Sequence, residues 1–279
     1  YSISMSNLHT LVAAVESATS SAQLVRAVGQ LAAAQLEGAI PTLIATLGYN
    51  NPGAAVAAVD GLIALGEPAV PALLEQLDQH NYTARAWAIR ALAGIGDPRG
   101  LVTLLGAATA DFAVSVRRAA ARGLGTMKWH WFPPELVDVA QEEALDALLF
   151  VAQQDDEWVV RYAAVVGLHA LAATLVGDAV AWRSQIQTQL SDLITNDTSL
   201  AVRARARLAQ QLHEVPVPSV APAPCGATES PLSSTDWGLI METLYERRGN
   251  ERLVLSEGDP RRYRELAVAI TQPEHLPHQ

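Results

Sequence analysis

The side chains best suited to chemistry in this sequence are arginines that recur at a repeated position, with aromatic residues beside them. Arg26, Arg85, Arg117, Arg161 and Arg203 share that position. Each is a planar, permanently charged donor that can grip a carboxylate through two parallel hydrogen bonds. Two readings compete. In one, the arginines form a polar ladder that bonds acidic side chains or helix-end carbonyls of the neighbouring unit. In the other, some of them face an open surface and hold an anionic ligand. Arg117 and Arg118 are adjacent, and adjacent helix residues diverge, so both cannot serve one ladder.

Aromatic residues make up only 5% of the chain, so their clusters stand out. Tyr82 and Trp87 flank Arg85, Trp158 and Tyr162 flank Arg161, and Trp129, His130 and Trp131 sit together. Any one of them can be core filler. Together, aromatic faces beside guanidinium groups suit a large, flat, conjugated anion. His130, between two tryptophans, is a candidate general acid or base near neutral pH, or else a loop histidine with a local hydrogen bond. The other histidines lack ligand spacing, so no metal site is predicted. Cys225, the one cysteine, lies in a Pro-rich stretch without rigid support and reads as an inert, exposed thiol. No nucleophile elbow, phosphate loop or dinucleotide fingerprint occurs.

The elements that must position these residues follow from composition. Of 279 residues half are hydrophobic, dominated by Ala, which suits closely packed helices and suits strands poorly. A net charge of −10 disfavours a nucleic-acid groove. The lone cysteine excludes an internal disulfide and fits a reducing compartment. No stretch approaches the ~20 apolar residues of a spanning helix, and the N-terminus lacks a signal pattern. The expectation is a soluble, cytoplasmic protein without a membrane span.

A repeat can be counted. Pro41 recurs as Pro71 and Pro68 as Pro98, each thirty residues on, and Leu43 and Leu47 map onto Leu73 and Leu77 by the same step. Two helices separated by a Gly-acid-Pro turn form the unit of a helical solenoid. Gly66 and Gly96 can take the left-handed conformation that closes a helix, and Pro68 and Pro98 stop its continuation. Pro41 and Pro71 fit the first turn of the next helix, where a missing N–H is tolerated. Later units lengthen: Val116-Arg117 recurs as Val160-Arg161 after 44 residues and as Val202-Arg203 after 42 more. The extra length includes an insertion, Lys128 to Pro134 (KWHWFPP), expected in a loop on the working face. The sequence thus predicts an all-α solenoid of HEAT-like repeats over residues 7–213, about six repeats in all. A Pro-, Ser- and Ala-rich linker follows at 214–234, then a short helical tail at 235–279. Within the tail, Ser234-Thr235-Asp236 offers an N-cap for a helix ending near Gly249, and Asp259-Pro260 starts another. At the other end, Leu8, Leu11, Val12 and Val15 give an apolar face with no preceding repeat, and it is expected to meet a partner.

Four stretches carry a family resemblance: Gly48 to Asp60 (GYNNPGAAVAAVD), Tyr82 to Arg99 (YTARAWAIRALAGIGDPR), Val116 to Gly125 (VRRAAARGLG) and Trp158 to Leu168 (WVVRYAAVVGL). They resemble the F-type subunits of heterodimeric phycocyanobilin lyases, within the HEAT-like bilin lyases of cyanobacteria. The resemblance covers roughly residues 7–213. It implies an enzyme active with an E-type partner subunit, with phycocyanobilin as substrate and no permanently bound cofactor. Such a pair joins the bilin to a cysteine of the phycocyanin α subunit through a thioether and can also remove or transfer it, in the cytoplasm or beside phycobilisomes. The nucleophile then belongs to the acceptor.

A lyase must hold one conformer of an open-chain tetrapyrrole. Arginines can pair with its two propionates and aromatic walls can restrain its rings. Tyr82, Arg85, Trp87, Arg117, Arg118, Trp158, Arg161 and Tyr162 are the binding candidates. A carboxylate near the pyrrole nitrogens would favour the protonated, more electrophilic bilin, and Asp60 is the nominee beside His130. Relatives that also isomerise the chromophore carry a His-Cys pair where this chain has Asn50-Asn51-Pro52, which argues for a plain lyase. Competing readings are a non-catalytic HEAT-repeat protein that binds bilin or phycobiliproteins in phycobilisome turnover or assembly, a scaffold without ligand, and a HEAT-like DNA glycosylase.

Overall fold

The computed structural model describes residues 2–77, 81–175 and 180–214, together with helical positions 237–238, 240 and 242–244. Up to residue 214 it is built from paired helices: α1 (Ser2–Glu16) with α2 (Ser21–Ala33), α3 (Ile40–Leu47) with α4 (Pro52–Leu65), and α5 (Val70–Leu77) with α6 (Tyr82–Ile95). The pairs α7 (Leu101–Ala110) with α8 (Val114–Gly125), α9 (Pro134–Gln154) with α10 (Trp158–Thr174), and α11 (Val180–Asn196) with α12 (Leu200–Glu214) complete the series. Even-numbered helices contact one another in order, α2 on α4 through to α10 on α12, and form one layer. Odd-numbered helices form the other. This is the expected all-α repeat architecture, with six pairs among the described residues.

The turn chemistry acts as the repeat pattern requires. Gly66 and Gly96 close α4 and α6 at φ +73° and +68°, and Pro68 and Pro98 sit in the 3₁₀ turns that follow. At Gly96 a Cβ would stand 2.8 Å from the Thr126 carbonyl oxygen, so the site excludes a side chain twice over. Asn51 and Asn81 cap α4 and α6, their Oδ1 atoms accepting from the N–H groups of Ala54 and Ala84 at 3.1 Å. Asn51 also donates to the Ser21 hydroxyl at 3.0 Å, tying one helix start to the previous one.

Between the layers runs a continuous apolar core of Leu, Ile, Val and Ala, with Leu43, Leu73, Leu104, Leu148 and Leu168 fully buried. Each such Leu contributes about 1.5–3 kcal/mol by leaving water. Small residues set the spacing of the even layer. A Cβ at Gly125 would lie 2.2 Å from the Gly167 carbonyl oxygen, so the α8 and α10 backbones touch at that point.

Two expectations are revised. The insertion at Lys128 to Pro134 is no open working loop: Trp129 and Phe132 are buried and stack at 5.4 Å, because an aromatic-rich segment gains more by filling the core than by facing water. The α1 face turns inward, with Val15 buried and Leu8, Leu11 and Val12 packed on the chain's own core. In the tail, Trp237, Ile240 and Leu244 pack on the solenoid, and the Trp237 ring lies 5.8 Å from Phe132. The linker at 215–234, Cys225 within it, and the helix predicted from Asp259-Pro260 lie outside the described residues.

Candidate functional site: an arginine-lined groove

The even layer fixes two different directions for charged side chains. Ladder arginines point along the layer to the next repeat. Arg85 meets Asp111 at 2.7 Å, Arg117 meets Asp155 at 2.7 Å, and Arg161 meets Asp197 at 2.7 Å. Arg117 and Arg161 are bidentate, their second bonds to the same carboxylates measuring 3.2 and 3.0 Å. Each also donates to carbonyls in the turn before its own helix, Asp111 and Phe112 for Arg117, Asp155 and Asp156 for Arg161. The hydrogen bond that Arg117 donates to Asp155 is the main influence raising its guanidinium, and the bond to Asp197 acts the same way on Arg161. Arg203 continues the series on the Ile194 carbonyl. Arg85, Arg117 and Arg161, read from the sequence as possible ligand grips, are thus occupied by their neighbours, and none lines the groove described next.

A second set of side chains faces a groove of about 890 Å³ that crosses α4, α6, α8, α10 and α12. Four arginines line it: Arg90, Arg118, Arg122 and Arg205, with Asp60 as the one acidic residue. Trp87 and Tyr162 supply its aromatic surface, and Arg90 lies 5.4 Å from the Trp87 ring centre. None of the four arginines forms an ion pair among the described residues. A local excess of positive charge in a chain of net charge −10 is therefore concentrated in one hollow.

Arg205 is the least solvated of the four. One of its terminal nitrogens, Nη1, is buried without a hydrogen-bond partner. The other donates to His169 Nδ1 at 2.9 Å, which requires that nitrogen to carry its lone pair and so places the proton of a neutral ring on Nε2. Burial pushes Arg205 down from the usual guanidinium value, and no carboxylate opposes it. Such a cation gains stability from an anion that enters the groove.

Of the sequence candidates, the structure brings together Asp60, Trp87, Arg118 and Tyr162. Tyr82 and Trp158 stand exposed at the starts of α6 and α10. His130 is exposed in the 3₁₀ turn Trp129–Trp131, edge-on to Trp131, and does not line the groove. Arg90, Arg122 and Arg205 escaped sequence reading. A signal existed for two of them: groove residues on α6 and α8 follow the ladder arginine by one or five positions, as Arg118 and Arg122 follow Arg117 and Arg90 follows Arg85. An offset of one rotates a side chain by about 100° and an offset of five by about 140°, so both leave the ladder face. Arg205 follows Arg203 by two and breaks the rule.

Fold and groove together define a HEAT-repeat solenoid with a basic, aromatic-walled groove. Comparison with known proteins agrees on the repeats, since a family model described as HEAT repeats matches residues 70–169. The chain is 61% identical over 275 residues to the phycocyanobilin lyase subunit beta of Pseudanabaena tenuis, an alignment covering 95% of this chain and 98% of that protein. It is 51% identical over 201 residues to a phycobilisome maturation protein of Synechococcus elongatus, covering 72% of this chain and 95% of the relative. Among solved structures, the complex of CpcE and CpcF of phycocyanin lyase from Nostoc matches with a TM-score of 0.57 at 51% identity, over 62% of this chain and 98% of that one. The chain belongs to the family of phycocyanobilin lyase beta subunits.

Proposed function

We propose that this chain is the F-type subunit of a heterodimeric bilin lyase, and that its groove holds phycocyanobilin while a cysteine of the phycocyanin α subunit attacks. The carrying observation is the convergence of four arginines that form no ion pair among the described residues, two aromatic rings and one carboxylate in a single groove. Phycocyanobilin bears two propionates on a flat, conjugated frame. Arg205 and Arg118 or Arg122 answer the propionates, Trp87 and Tyr162 restrain the rings, and Asp60 stands where a carboxylate can favour the protonated chromophore. The groove volume of about 890 Å³ falls in the range of small-molecule sites.

In the reaction the thiol adds across an exocyclic double bond of the bilin. A carbon–sulfur bond forms, the thiol proton passes to the chromophore, and nothing is oxidised. The groove residues include no cysteine, so the nucleophile comes from the acceptor. By holding one conformer beside it, the groove makes the step effectively unimolecular. The basic groove is a poor match for a nucleic-acid backbone: its charge is confined to four arginines in one hollow, and no lysine lines it. The partner is an E-type subunit, the compartment cytoplasmic, and no cofactor is permanently bound.

Likeness to a phycobilisome maturation protein favours a second reading, in which the chain binds bilin or phycobiliprotein without catalysing attachment. One experiment separates them. The chain is mixed with an E-type subunit, phycocyanobilin and apo-phycocyanin α subunit, and zinc-enhanced fluorescence is read on a denaturing gel. Covalent adduct supports the lyase. Bilin binding without adduct across several acceptors overturns it in favour of the second reading.

A further inference from the structure

Five of the eight exposed large hydrophobic side chains among the described residues stand at one end of the even-numbered helices. Tyr49 is 41% exposed, Tyr82 68%, Phe112 74%, Trp158 48% and Leu200 77%. Each stands at the start of an even-numbered helix or in the turn just before it: Tyr49 before α4, Tyr82 on α6, Phe112 before α8, Trp158 on α10 and Leu200 on α12. Two neighbouring members touch, Tyr82 meeting Phe112 edge-on at 6.0 Å between ring centres. At roughly 8–10 Å per helix-to-helix step, a row from α4 to α12 runs about 35 Å. A row of exposed large apolar side chains of this length marks a contact surface.

Position in the fold says which contact. Groove-lining residues begin within about a turn of three of its members: Ser115 three residues after Phe112, Val159 next to Trp158, and Ala86 four residues after Tyr82. The row is therefore the lip of the groove at the N-terminal ends of its helices. The ladder pairs Arg85–Asp111, Arg117–Asp155 and Arg161–Asp197 neutralise one another at these helix starts, so the row offers apolar contact, with exposed Asp156 and Glu157 beside Trp158. With no cysteine lining the groove, the thiol must arrive on a macromolecule that covers its mouth.

We propose that this aromatic lip is the docking surface for the acceptor protein, which seats an apolar face along Tyr82, Phe112 and Leu200 and so aims its cysteine into the groove. The inference rests on the lyase reading and deepens it. Its recognition is hydrophobic, so acceptor affinity depends weakly on salt.

The test is the double variant Phe112→Ser/Leu200→Ser, assembled with the E-type subunit. Both positions are exposed, so circular dichroism and melting should match the unchanged protein. The expected result is bilin affinity within about twofold, unchanged association of the subunits, and a KM for apo-phycocyanin α subunit raised about tenfold with kcat near its original value. Direct calorimetric titration of apo-α subunit into the bilin-free heterodimer should show the same weakening. That titration keeps the two proposals apart, because lip-dependent docking can appear even where no adduct forms. An unchanged KM and titration would overturn the lip. So would absence of any acceptor binding by the unchanged heterodimer, loss of the E-type subunit, which would make the row a subunit interface, or loss of bilin affinity, which would make it part of the groove.

Discussion

Arg117 and Arg118 are consecutive residues whose guanidinium groups serve opposite ends: Arg117 is clamped on Asp155 at 2.7 Å, while Arg118 stands without an ion pair in the groove. The rotation of about 100° per helix residue separates them. One binds the next repeat and fixes how the even helices stack. The other is presented by that stacking to whatever enters. Similar phasing recurs on α10, where Arg161 is in the ladder and Tyr162 lines the groove.

Groove arginines that form no ion pair among the described residues should be dispensable for folding and needed for binding. Arg205→Gln removes a desolvated cation with no opposing carboxylate, so the melting temperature should hold or rise. Affinity for phycocyanobilin, followed by its visible absorbance change, should fall about tenfold or more, as expected for loss of one charge-assisted contact. The dimethyl ester of the bilin, lacking the propionate charges, should bind both proteins equally weakly. An ester that binds the unchanged protein as well as the acid does would show that the arginines do not read carboxylates.

The ladder makes the opposite forecast. The side chains of Arg161 and Asp197 are 11% and 2% exposed, so removing either partner strands a buried charge. Arg161→Ala and Asp197→Ala should each destabilise by about 3 kcal/mol, and the double variant by clearly less than the two together. Urea unfolding of all four proteins measures the coupling. Additivity would mean that the pair holds nothing.

The fold was readable because its determinants are local. The thirty-residue spacing of Pro41 and Pro71, and the glycines that close α4 and α6, act within a few residues of themselves. The site was readable only in part, because which face of α8 looks outward depends on α6 and α10. Arg117 and Arg118 could be seen to diverge, but not which of them was taken by Asp155, thirty-eight residues away. The aromatic insertion misled for the same reason: Trp129 and Phe132 are buried by partners that include Trp237, far along the chain.

Acid should loosen the end of the solenoid at α12. Burial alone would raise the Asp197 carboxyl, but the Arg161 hydrogen bond and the Ser199 N–H at 2.7 Å outweigh it and hold the group below its ordinary 3.8. A carboxyl lowered in the folded state contributes stability that is complete above the ordinary value and is lost as pH falls through the folded one. Unfolding free energy should therefore drop below about pH 4, and Asp197→Asn should lower stability at neutral pH while flattening that drop. Equal acid slopes for the two proteins would exclude Asp197 as the source.

The even layer depends on a backbone contact that no side chain can enter. Gly125→Ala would put a methyl group 2.2 Å from the Gly167 carbonyl oxygen, which must force α8 and α10 apart. Arg118 and Arg122 ride on α8 and Tyr162 on α10, so the displacement widens the groove as it destabilises the fold. A loss of about 2–4 kcal/mol is expected, together with a bilin affinity reduced even at temperatures where the variant is fully folded. Gly106→Ala is the control, since a Cβ there meets nothing within 4 Å and lies on α7 in the other layer.

The tail's contact with the solenoid should behave as a separate, weaker unit. Trp237, Ile240 and Leu244 recur at helical spacing, and Leu244 is 1% exposed, so among the described residues this face carries the apolar attachment. Leu244→Ala removes about 2–3 kcal/mol from a docking that rests on few residues, enough to release it while leaving the core of α1 to α12 intact. Hydrogen exchange should then accelerate in the tail helix and around Phe132, whose ring faces Trp237 at 5.8 Å, without a matching fall in the main melting transition. A main transition that falls in step with the exchange would instead make the tail part of the same cooperative fold as the repeats.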